Sequence, residues 1–125
     1  MSKYGDITYR RGVDVVSYSS NISRTATSAA EMFPIPAYSR IKFMTIEGAK
    51  SDAGTSGRLS IGSNGGGGKD FLADFNVKTN GVFSVPSSFN QAAVDSPNVT
   101  FVTATYAEDG GASTVGGPWT ITFYI

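Results

Sequence analysis

Cysteine and histidine are both missing from the 125 residues. Their absence removes disulfides, thiolate nucleophiles, Cys/His zinc sites and histidine general bases together. It leaves the redox compartment open. No run approaches the roughly 20 apolar residues of a membrane-crossing helix. The opening MSKYGDITYRRG lacks the apolar core of a secretory signal. Synthesis in a cytoplasm without Sec export is the expectation, with no membrane partner. Helical periodicity is nearly absent. The best helical candidate, residues 25–32 (TATSAAEM), spans at most two turns and is stopped by Pro34 and Pro36. Net charge is zero, ten basic against ten acidic side chains, so no overall field draws nucleic acid. The signs are unevenly placed: no lysine or arginine follows Lys78, whereas Asp95, Glu108 and Asp109 do.

What is present is β-sheet chemistry. Hydrophobic residues make up 40% of the chain, enough for one core in one domain, and fifteen glycines and five prolines cut it into short pieces. The last segment, residues 119–125 (WTITFYI), alternates apolar with threonine and predicts a half-buried strand. Residues 99–106, 40–47, 13–18, 58–61, 71–77 and 81–85 read as further strands, with a short piece around 32–35. The expected fold is all-β: an antiparallel β-sandwich or jelly roll of about 7–8 strands. Residues 1–30 are rich in Ser, Thr and Ala and are expected as an extended, partly irregular N-terminal arm, with the sandwich in residues 31–125. Asn80-Gly81 predicts a hairpin between the strands on either side of it.

The segment 61–70, IGSNGGGGKD, raises the question of a phosphate-binding loop. The Gly-Lys of such a loop needs glycine five residues before the lysine's own glycine, a hydroxyl after the lysine and a helix beyond. Here those positions hold Ser63 and Asp70, and FLADFNV follows. The expectation is a soft strand connection with Lys69 and Asp70 solvated at its end. The acidic pairs Asp70/Asp74 and Glu108/Asp109 lack the spacing of a calcium loop. Neither a G-x-S-x-G elbow nor a histidine accompanies the many serines. No enzyme, metal or cofactor is expected. Trp119, Tyr106, Phe123 and Phe101 read as core. Tyr4, Tyr9, Tyr18, Tyr38 and Phe89 lie in less regular segments, where aromatic rings anchor partners or stack on sugars when exposed.

A family likeness covers residues 35–125. Ile35-Pro36 precedes a strand, and residues 59–62 read LSIG. Leu72-Ala73, residues 77–79 and Gly81 form L-A-x-x-x-V-K-T-x-G, and residues 103–105 supply T-A-T ahead of the final threonine-rich strand. This resembles small virion proteins encoded in the head modules of tailed phages. The resemblance implies a β-sandwich that decorates or cements the capsid exterior, with the major capsid protein as partner and self-association, often as a homotrimer. Such proteins carry an acidic or proline turn after the LSIG strand. The GSNGGGG found here departs from that, so no loop-specific role carries over. For such binding, Tyr4, Tyr9, Arg10, Arg11 and Tyr18 are the candidate protein-interface residues. A receptor- or carbohydrate-binding module of a tail or fibre, built on the loop 108–118, is the alternative, as is a head–tail connector component.

Overall fold

Period-two patterning places eight strands in the computed structural model, which describes residues 16–64, 67–80, 82–90 and 97–125. They are β1 (Ser17–Ile22), β2 (Ala30–Ile35), β3 (Phe43–Glu47), β4 (Ser56–Ser63), β5 (Leu72–Asn76), β6 (Phe83–Ser84), β7 (Thr100–Asp109) and β8 (Trp119–Tyr124). There is no helix among the described residues. Two four-stranded antiparallel sheets result, ordered β1-β8-β3-β6 and β2-β7-β4-β5. The first strand pairs with the last, the second with the seventh, the third with the sixth and the fourth with the fifth. A ribbon paired in that nested way and wrapped around a core is a jelly roll.

Alternation explains the core. In β8, Trp119, Ile121 and Phe123 point inward, while Thr120, Thr122 and Tyr124 point out. In β7, Val102, Ala104 and Tyr106 are wholly buried. Phe123 has Phe33, Phe71 and Phe89 edge-on around it, at centroid distances of 5.3, 5.2 and 5.4 Å. Trp119 from one sheet stacks on Tyr106 from the other at 5.1 Å. These contacts join the sheets, and each buried large side chain contributes about 1.5–3 kcal/mol of transfer free energy.

Several expectations change. The stretch 25–32 is not helical: Ala26 N–H closes a turn onto the Ser23 carbonyl, and β2 begins at Ala30. The pairing partner β7 outweighs a two-turn helix that could not nucleate alone. Residues 17–22, expected within an arm, form edge strand β1, with Ile22 in the core. The arm reading then falls on residues 1–15, outside the described residues. The strands on either side of Asn80-Gly81, β5 and β6, are not paired as the expected hairpin, because they belong to different sheets. The turn at residues 77–79 is instead held by Asn76 Oδ1, which accepts from Lys78 N–H at 2.8 Å and Thr79 N–H at 3.0 Å.

Candidate functional site

The two outer faces of the sandwich differ in chemistry. On the sheet β2-β7-β4-β5, the outward positions of β4 are Ser56, Arg58, Ser60 and Gly62, which face Asp109, Ala107, Thr105 and Thr103 of β7. Part of the connection between β4 and β5 folds back over them. A Cβ on Gly62 would overlap the backbone of Gly68, so only glycine lets the loop lie this close. Under it runs a groove of about 400 Å³, lined among others by Arg58, Ser60, Lys69, Asp74, Thr103 and Thr105.

Asp70 holds that loop. Its carboxylate accepts the Ser63 N–H at 2.6 Å and also the Ser63 hydroxyl. The expectation that Asp70 is merely solvated is therefore corrected: the carboxylate clamps the end of β4 to the start of β5. Asp74 sits at an irregularity between β4 and β5, with φ of 52°. An extra residue in one strand of a pair produces such a bulge. The Asp74 N–H finds the Ser60 hydroxyl at 3.1 Å, and its carboxylate meets Lys69 Nζ at 3.2 Å and Arg58 Nε at 3.7 Å. Arg58 also donates to Asp109 at 2.6 Å. That hydrogen bond holds the Asp109 carboxyl below the usual carboxylate range and raises Arg58. The cations lining the groove are thus matched by carboxylates. No group of three or more His, Cys, Asp or Glu side chains suited to a metal occurs among the described residues.

The sheet β1-β8-β3-β6 has a different outer surface. Its outward strand positions are Ser17, Ser19 and Asn21 on β1, Thr120, Thr122 and Tyr124 on β8, Phe43, Thr45 and Glu47 on β3, and Phe83 on β6. Glu47 is the single charge. Phe43 stacks on Tyr124 at 4.4 Å while remaining 41% exposed, and Phe83 is 58% exposed. Val82 and Val85 flank it, also exposed. The face is hydroxyl-rich and rimmed by aromatics; its sparse charge and exposed aromatics are features shared with protein interfaces, whereas its serines are not.

The loop from Glu108 to Pro118 is pinned rather than loose. Asp52, in the connection between β3 and β4, accepts from Thr114 N–H and Oγ1, both at 2.7 Å, and from Val115 N–H at 3.0 Å. These bonds, with that to Val115 the largest cause, lower the Asp52 pKa to about 2. Below it, Tyr106 OH pairs with Ser51 Oγ at 2.6 Å and donates to Glu108 at 2.9 Å. Burial raises the Tyr106 pKa, while Ser113 and Tyr106 lower that of Glu108. Ser51, Tyr106 and Trp119 are buried, so the loop presents no aromatic platform for a sugar; its exposed apolar side chain is Val115.

Tyr4, Tyr9, Arg10 and Arg11 lie outside the described residues. Tyr18 is half-buried and stacks on Phe33 at 6.2 Å, on the inward side of β1. Phe89 packs into the core against Phe71, whereas Tyr38 is 74% exposed. Phe101, expected in the core, is 40% exposed. The alternation of β7 sets it on the outer face with Thr103 and Thr105. The sparsely charged face is not visible in the sequence because its residues are scattered over four strands. The sparse charge of β1, β3 and β8 was its available signal.

No protein-family model and no curated protein matches the sequence. Among solved structures, the fold is similar to a chain titled "Cyanophage Pam1 capsid asymmetric unit", with a TM-score of 0.62 and 20% identity, over 91% of this chain and 85% of that one.

Proposed function

We propose that this chain is a phage virion structural protein that decorates and cements the capsid exterior and acts by binding rather than by chemistry. The observation that carries the reading is the jelly roll it shares, along most of its length, with a chain of a cyanophage capsid asymmetric unit. The sequence likeness of residues 35–125 to head-module virion proteins supports it independently. The outer face of β1-β8-β3-β6 is the lattice-facing surface in this reading, with Phe43, Tyr124 and Phe83 as its anchors. Binding the assembled lattice of the major capsid protein more tightly than loose subunits raises shell stability by mass action. Many identical copies make weak contacts count through avidity. A homotrimer is the assembly that the resemblance implies.

Electron cryomicroscopy of purified virions tests this. Density fitting this jelly roll on the outer surface of the shell is the expected result. Density confined to the tail or connector would favour those roles instead, and no density for the chain would overturn the proposal.

A further inference from the structure

A sandwich of two open sheets has four edge strands, and open edges invite pairing with other chains. Three of the four are blunted. Strand β2 contains Pro34, which has no N–H to offer, and its register shifts between Glu31 and Phe33. Strand β5 is interrupted at Asp74 and flanked by the Arg58–Asp74–Lys69 charges. Strand β6 is two residues long. Strand β1 has none of these devices. It runs six residues in unbroken register along β8, and residues 16–23, VSYSSNIS, contain no charge and no proline.

The ladder also shows which backbone groups of β1 are outward. Val16 and Ile125 exchange both N–H···O bonds, at 3.3 and 2.8 Å. Hydrogen-bonded pairs recur at every second residue, so Tyr18, Ser20 and Ile22 bond to β8. The N–H and C=O groups of Ser17, Ser19 and Asn21 therefore point away from the sheet. All three residues are exposed, and their backbone groups have no partner among the described residues.

We propose that this edge pairs with β1 of a second copy, antiparallel across a two-fold axis, with Ser19 opposite Ser19 and Ser17 opposite Asn21. The strand suits itself as a partner. With no charge between residues 16 and 23, reversal of direction sets no like charges against each other. The side chains that meet are Ser and Asn, small enough for close approach. A two-fold contact uses the same patch on both copies and closes, so it does not propagate into a fibre. The inference follows from the edge alone and does not rest on the capsid reading.

The cysteine-free chain makes the test clean. In the proposed register the two Ser19 Cα atoms lie about 5.5 Å apart, within disulfide reach. Ser19→Cys, oxidised as the purified full chain, is expected to give a disulfide-linked two-chain species on a non-reducing gel. Val115→Cys, on the exposed side of the 110–118 loop, serves as the collision control. Ser19→Pro removes only an outward N–H and is expected to halve the molar mass found by light scattering. Should that variant fail to fold, Ser19→Lys sets two cations across the axis and is expected to have the same effect. Cross-linking of Ser19→Cys no greater than that of Val115→Cys overturns the proposal. So does a folded Ser19→Pro with unchanged mass. If that folded variant also loses its place on virions, the edge belongs to a strand of the capsid protein instead.

Discussion

The outer face of β2-β7-β4-β5 and that of β1-β8-β3-β6 rest on the same core, yet one is charged and the other nearly charge-free. The first carries Arg58, Asp74 and Asp109 and is partly roofed by its own loop. The second carries Ser, Thr and Asn with aromatics at its margins. A face that covers itself and neutralises its own charges is finished as a solvent surface. A face left nearly uncharged and edged by exposed Phe43 and Phe83 is suited to being covered by something else. The edges repeat the division: β5 is blunted by a bulge and charges, whereas β1 has no partner along its outer edge among the described residues.

Both faces depend on one buried layer, so the largest effect comes from breaking it. Phe123 lies on β8 and touches Phe33, Phe71 and Phe89. Phe123→Ala is expected to destabilise the fold by about 3–5 kcal/mol, from lost transfer energy and the cavity left behind. Urea denaturation followed by tryptophan fluorescence checks it. Unfolding in one transition, with Ser19→Cys cross-linking lost at the same midpoint, would show that the faces share one core. Two separate transitions would show that they do not.

A smaller change separates the faces. Gly62→Val drives side-chain carbons into the Gly68 backbone and is expected to cost about 1–3 kcal/mol as local overpacking. Hydrogen exchange should rise at Lys69 and Asp70 as the loop lifts. Exchange along β1 and β8 should stay as in the parent. Equal acceleration in both sheets would mean that the glycine loop supports the whole sandwich rather than one face.

The parts legible in the sequence were those with strong alternation. Residues 119–125 and 99–106 announced β8 and β7 because threonines separate apolar side chains at period two. Strand β1 was obscured, since Ser17, Ser19, Ser20 and Asn21 look like a linker. Only Tyr18 and Ile22 give it an inward apolar face. Sheet membership was not legible either. Nothing local to Asn80-Gly81 shows that Phe83 and Ser84 pair with Glu47 and Ile46, more than thirty residues earlier, instead of with β5. Ser63 and Asp70 set the glycine run apart from the phosphate-loop pattern. The clamp between those two residues follows from β4 and β5 being neighbours, which no spacing rule supplies.

The smallest expected effect tests what ties the two faces together at one end. Asp52 lies on the crossover from β3 to β4, and its carboxylate holds Thr114 and Val115 on the crossover from β7 to β8. Each crossover runs between the nearly charge-free sheet and the charged one. The Asp52 pKa is about 2 in the folded chain against an ordinary value of 3.8. A depressed carboxylate contributes stability that is fully present above the unfolded value and is lost as pH falls through the folded one. Asp52→Asn is therefore expected to be slightly less stable than the parent near neutrality, with the difference constant down to about pH 4. Between there and about pH 2 the two stability curves should converge, as the parent's carboxylate takes up its proton. Thermal midpoints measured across that range check it. A gap that persists unchanged at pH 2 would mean that Asn fails to hold the loop for steric reasons. The connection between the two sheets would then rest on geometry rather than on the charge of Asp52.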